Sequence, residues 1–222
     1  MATLPAADRV ILLSTCRQIT ALEAEIDGIE GEIARCVVDV PAVQVLLTIT
    51  GVGLISAAAT WAILGDPHRF PQAKQVARYA GLDPSIVQSG EQHRQGRISK
   101  AGSPLLRTLL VEAAHSLARW DTGPLGQFYA RKARQVGPRK AIIALARKLL
   151  IVAWRMLLTG EVYRAAKATV VARKQRELQK AIRIQLPTTV PAQYPVHVTR
   201  RPAAGARGKE GVMSRRRTLV SS

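Results

Sequence analysis

The sequence predicts an all-α fold interrupted by one irregular polar loop, and three observations carry that expectation. Apolar residues make up 47% of the 222 but aromatic residues only 4%, and alanine and leucine dominate. Such a composition favours helices over a β-sandwich or barrel. Long stretches repeat their apolar residues at spacings of three and four. Prolines and glycines stand where those stretches stop. A chain of this length can bury one substantial core or two small ones.

The elements follow in order. Over residues 9–37, Leu12, Thr15, Ile19, Leu22, Ile26, Ile29, Ile33 and Cys36 alternate at three and four, the seam of a coiled-coil-like helix. That helix either pairs with another helix, making a homo-oligomer, or lies on the chain's own core. Residues 43–64 read as two short apolar helices around Thr50-Gly51-Val52-Gly53, ended by Asp66-Pro67. A short helix over 70–81 stops at Gly81-Leu82-Asp83-Pro84. Residues 84–102 are polar and glycine-bearing, an extended loop or loose hairpin. Three helices then cover 104–120, 125–135 and 138–159, the first and last opening on Pro104 and Pro138. A basic helix follows, reaching Leu186 and set apart as residues 164–186. The remainder, 187–222, is rich in Pro, Gly, Arg and Ser without periodicity, a disordered basic tail.

Charge separates the chain into two parts. Residues 1–66 hold eight acids and three bases, and residues 67–222 hold seven acids and thirty bases. The net charge is −5 for the first part and +23 for the second, which points to a polyanionic partner. Two cysteines, Cys16 and Cys36, make neither a disulfide framework nor a zinc site. No apolar run is long enough to cross a bilayer. A reduced, cytoplasmic protein with no membrane partner is expected.

Two segments carry chemistry. Around Thr50, Gly51, Val52 and Gly53 the sequence has the pattern of a helix-hairpin-helix spanning 46–64. Its glycines let a phosphate approach the backbone, and the second helix offers unpaired N–H groups to it. An ordinary helical hairpin with a glycine turn is the plainer reading. From Ser89 to Gly102 the chain packs His93, Arg94, Arg97 and Lys100 against the one carboxylate of Glu91. Ser89 there is either a turn residue before Gly90 or a hydroxyl nucleophile flanked by phosphate-binding cations, and Ser99 competes with it. The histidines lack metal-ligand spacing, and no phosphate-cradling P-loop occurs. Between residues 84 and 160 the acids are Glu91, Glu112 and Asp121, too few for a two-metal nuclease.

These residues also carry a resemblance. Ile49-Thr50-Gly51-Val52-Gly53, Gly65-Asp66-Pro67-His68-Arg69-Phe70, Ala77-Arg78-Tyr79-Ala80-Gly81-Leu82 with Pro84, Ser89-Gly90, and Arg97-Ile98-Ser99-Lys100-Ala101-Gly102 before Leu105-Leu106-Arg107 occur in that order. Ala144 to Leu150 and Gly160-Glu161-Val162-Tyr163 continue it. Residues 43–163 thereby resemble the C-terminal domain of the insertion-sequence 110/116/902 type transposases, which a coiled coil precedes. The resemblance implies DNA strand exchange in bacterial transposition, directed in some members by a structured guide RNA, in a nucleoid-associated protein. It implies that Ser89 is the nucleophile, with Arg94, Arg97, Ser99, Lys100 and Arg107 on the nucleic acid. It implies no cofactor on this chain itself. Mg2+ is expected only with a RuvC-like domain that the sequence does not contain, so the isolated chain is expected to be inactive. A noncatalytic nucleic-acid-binding protein or a decayed transposase is the alternative.

Overall fold

The computed structural model describes residues 5–89 and 92–184, over 85–97 by the main chain alone. The basic tail expected over 187–222 lies outside them. The chain runs through α1 (Ala6–Val37), α2 (Pro41–Leu47), α3 (Leu54–Leu64) and α4 (Ala73–Tyr79). A hairpin of β1 (Pro84–Ser89) and β2 (Gln92–Ile98) follows, then α5 (Pro104–Trp120), α6 (Pro124–Val136), α7 (Pro138–Thr159) and α8 (Ala168–Ile182). Four of these helices begin on a proline. Its locked φ suits a first turn, where the missing N–H would have no helical acceptor.

The all-α expectation holds, and the polar segment takes the hairpin form of its two readings. Strands β1 and β2 pair antiparallel, with Pro84 opposite Ile98 and Ser89 opposite Gln92. The core gathers on α7, against which α2, α4, α5 and α6 all pack. Its Leu145, Leu149 and Leu150 are fully buried, as are Leu106 and Leu117 of α5. Trp154 of α7 donates its indole N–H to the Pro67 carbonyl at 2.9 Å, tying the α3–α4 connection to the core.

Helix α1 behaves differently along its length. Ala34 and Val37 are buried at its C-terminal end, whereas Leu12, Ile19, Leu22, Ile26 and Ile29 are all at least half exposed. Most of the predicted seam is thus left uncovered by the rest of the described chain. The end of α8 lies against α1 at Gly31, where a Cβ would stand 2.7 Å from the Ile184 carbonyl oxygen. Arg35 donates to the Ile182 and Ile184 carbonyls at 2.7 and 2.9 Å, satisfying acceptors that a helix end leaves free.

The basic helix expected over 164–186 needs correction. It spans Ala168–Ile182, and residues 161–167 are irregular. The Tyr163 N–H donates to the Thr48 hydroxyl at 2.9 Å, so this stretch bonds across the molecule rather than along a helix. Nor is α8 a solvated helix, since it buries Lys174 and Leu178.

Candidate nucleic-acid interface

The α2–α3 turn is built tightly from behind and left open in front. Ile49 and Val52 are buried, pulling the turn onto the core. Gly51 has φ +80°, and a Cβ on it would stand 2.9 Å from the Ala113 carbonyl oxygen of α5. Only glycine meets both conditions. Gly53, by contrast, has nothing within 4 Å of where a Cβ would be, so the approach to the first turn of α3 is clear. No side chain caps that turn. Its N–H groups and helix dipole therefore face an approach that a phosphate oxygen can use.

Two side chains brace the turn, Thr48 directly after α2 and Lys174 of α8. The Thr48 hydroxyl donates to the Val45 carbonyl at 2.6 Å while accepting from Tyr163. Lys174 of α8 is buried beneath the turn, donating from Nζ to the Leu47 and Ile49 carbonyls at 2.8 and 2.5 Å. Burial lowers its pKa to about 8, the charge of Arg173 acts in the same direction, and Glu177 opposes both. Tyr163, buried near Asp121, is raised to about 12, first by burial and then by that carboxylate's charge. Both reflect the cost of a charge inside the fold.

At the base of the β-hairpin a second set of contacts fixes where the strands leave the core. Gly81 and Gly102 bring the end of α4 against the segment entering α5, and a Cβ on Gly102 would overlap the Tyr79 carbonyl oxygen. Ser99 donates its hydroxyl to the Asp83 carboxylate at 2.6 Å, and its N–H bonds the Asp83 carbonyl at 2.9 Å. Lys100 sits at φ 54° with its N–H on the Gly81 carbonyl, leaving its side chain exposed. Arg107 reaches from α5 to the Ala80 carbonyl at 3.2 Å.

The residues singled out in the sequence thus fall into two groups. Thr50, Gly51, Val52 and Gly53 form the α2–α3 turn, with Thr50 and Val52 buried. Ser99, Lys100 and Arg107 gather at the hairpin base, where the Ser99 hydroxyl and the Arg107 guanidinium already have partners within the chain. Ser89 ends β1, and Arg94 and Arg97 lie in β2, with Arg94 opposite Val87. Their side chains fall outside the described residues.

The sequence reading missed a basic groove beside that base. It encloses about 940 Å³, and Leu82, Ile98, Phe128 and Ile143 supply apolar walls. Lys100, Arg139, Lys140, Arg147 and Lys148 also line it, and among the described residues no carboxylate does. Four of these cations belong to α7, as two adjacent pairs, Arg139-Lys140 and Arg147-Lys148, set about two helical turns apart. That spacing was visible in the sequence. What it lacked was the groove, which exists only because Pro84 and Ile98 of the hairpin meet the same face.

Among the described residues no group of three or more His, Cys, Asp or Glu side chains could hold a metal ion. No described helix is long and apolar enough to cross a membrane.

Comparison with known proteins agrees with this geometry. The model of the transposase IS116/IS110/IS902 family matches residues 43–130, a span that holds the α2–α3 turn and the entire β-hairpin. A protein of Sinorhizobium fredii described as a transposase is 36% identical over 172 residues, 72% of this chain and 42% of its own length. A family 20 transposase of Pseudomonas aeruginosa is 32% identical over 166 residues, 73% of this chain and 49% of the relative. The transposase for an insertion sequence element of Coxiella burnetii is 33% identical over 124 residues, 54% of this chain and 34% of the relative. The chain spans less than half the length of each of these relatives. Both the ordered motifs and the family match therefore lead to one statement: this chain carries a transposase domain of the IS116/IS110/IS902 family.

Proposed function

We propose that the chain is the DNA-binding, strand-exchanging portion of an insertion-sequence transposase, with Ser89 as its nucleophile. The observation that carries this reading is the unbroken family match over 43–130, which includes both the open glycine turn and the strand that ends on Ser89. In the step itself the Ser89 oxygen gives up its proton and forms a bond to a DNA phosphorus. A deoxyribose oxygen leaves that phosphorus and takes up a proton, giving a phosphoserine link that a second DNA hydroxyl later reverses. The turn at Thr50–Gly53 holds a backbone phosphate, which positions DNA without reading its bases. The groove cations, together with Arg94 and Arg97, hold further phosphates, and a structured guide RNA is a second polyanion suited to the same surface.

Among the described residues no cluster of acids or histidines fits Mg2+. The metal belongs with a carboxylate-bearing RuvC-like domain supplied by another chain or another part of the protein. The uncovered seam of α1 supports a homo-oligomer formed through residues 9–37.

The test is to trap covalent protein–DNA adducts from the full chain supplied with the metal-binding domain, comparing it with Ser89→Ala. Loss of the adduct with DNA affinity retained is the expected result. Equal adduct yields would remove Ser89 from the role. Binding without any adduct in either protein would favour a noncatalytic DNA-binding remnant.

A further inference from the structure

A separate cleft lies at the α2–α3 turn and encloses about 550 Å³. Thr50, Gly51 and Gly53 form one side, and Trp120, Lys167 and Arg173 contribute to the others. Trp120 is 63% exposed at the end of α5, in a chain with only three tryptophans. An indole exposed on a strongly basic surface offers a broad face on which a partner's ring can stack. The Arg119 guanidinium lies over one face of the ring, 5.1 Å from its centroid. Among the described residues Glu177 is the one carboxylate lining the cleft, and Arg173 engages it at 3.5 Å. Thr50 also lines the cleft, and its hydroxyl, buried within the turn, has no hydrogen-bond partner among the described residues.

From this juxtaposition we infer that the cleft binds an unpaired nucleotide, its base stacked on Trp120 and its phosphate held by Lys167, Arg173 and the glycine turn. Aromatic stacking beside a cationic track is how proteins hold single strands without reading sequence, because every base offers a π-face. A base inside a duplex is already stacked on both sides and cannot use the ring. The site therefore adds to the proposed DNA interface a preference for bases freed from pairing, whether in DNA during strand exchange or in an RNA loop. It rests on the reading of this surface as a nucleic-acid interface but does not depend on Ser89 chemistry.

The experiment titrates the full chain and its variants with fluorescently labelled oligothymidylate, oligouridylate and a mixed-sequence duplex, following anisotropy and intrinsic tryptophan emission. Trp120→Ala should weaken single-strand binding about tenfold and leave duplex binding within about twofold. Trp120→Phe should keep most of the single-strand affinity yet lose the emission quenching that the wild type shows, because Trp61 and Trp154 sit away from the cleft. Circular dichroism confirms that both variants stay helical. A difference between thymidylate and uridylate names the preferred source of the base. Unchanged single-strand affinity in Trp120→Ala, or equal losses on strand and duplex, would overturn the stacking site. So would wild-type binding to duplex alone, which would leave the broader DNA-binding proposal standing. Binding to neither would defeat both. If Trp120→Ala instead lowers the oligomeric state at unchanged affinity, the ring belongs to a contact between copies, and the inference fails.

Discussion

The two glycine-bearing connections of this domain are anchored in different ways. The α2–α3 turn is braced from several elements: α5 behind Gly51, the amide of Tyr163 on Thr48, and the ammonium of Lys174 on two of its carbonyls. The described anchors of the β-hairpin lie at its base, in the Gly81–Gly102 approach, the Ser99–Asp83 pair and the Lys100 turn. A turn braced from behind and beneath, and open in front, presents a preset surface to a backbone phosphate, which needs no rearrangement to be held. A hairpin anchored at its root has a fixed point of departure while its far end carries the proposed nucleophile, Ser89. The contrast suits a division between holding DNA and acting on it.

Breaking the hairpin root has the largest expected effect. Gly102→Ala places a methyl group onto the Tyr79 carbonyl oxygen and the main chain of Ala80 and Gly81, none of which can move as a side chain would. A loss of about 3 kcal/mol is expected, the upper range for overpacking, read as a shift of the denaturant midpoint. A normal midpoint would mean that the α4–α5 junction yields more easily than its geometry indicates.

Removing the brace beneath the other turn comes next. Lys174→Met keeps the length of the side chain but strands the Leu47 and Ile49 carbonyls, at a cost of about 2 kcal/mol. The same residue gives the contrast a pH signature. In the folded chain the ammonium loses its proton near pH 8, against an ordinary value of 10.5 when exposed. Between those values the unfolded chain binds more protons, so this group makes stability rise with pH, by at most about 1.4 kcal/mol per unit. The difference in unfolding free energy between wild type and Lys174→Met should therefore grow from pH 8 to pH 10. Above that, Tyr163, raised to about 12, acts in the opposite direction in both proteins. Parallel pH profiles over the window would show that Lys174 is better solvated than its burial implies.

The smallest effect sharpens the comparison. Ser99→Ala removes the bond to Asp83 from a half-buried pair, worth about 1 kcal/mol. Because that pair holds the root of the hairpin, adduct formation by Ser89 should fall by more than DNA affinity does. Equal losses in both would make the bond a matter of stability alone.

Much of the fold could be read from the chain before its structure. Apolar spacing and proline starts placed α5 at Pro104–Trp120 and α7 at Pro138–Thr159. The pattern of α1 was equally plain, although periodicity cannot say whether a seam meets its own core or solvent. Ser99 was read as a competitor for the nucleophile or a contact for nucleic acid, and the bond of its hydroxyl to Asp83, sixteen residues away, gave no signal in the spacing. Lys174 looked like one more cation on a basic helix. Its burial depends on carbonyls from residues 47 and 49, more than a hundred positions earlier. Trp120 gave no signal, since a tryptophan ending an amphipathic helix is usually core.

What the sequence determined by itself were the local and additive properties: helical elements, breakpoints, the basic balance of the second part and the ordered motifs that mark the family. Each depends on spacing within a few turns or on composition, and neither needs a partner far along the chain. Tertiary structure alone decided which cations face a groove, which lysine is buried and which tryptophan is exposed. Those outcomes depend on carbonyls, faces and cavities contributed by distant segments, and a desolvated charge or an uncovered ring is defined only by what packs around it.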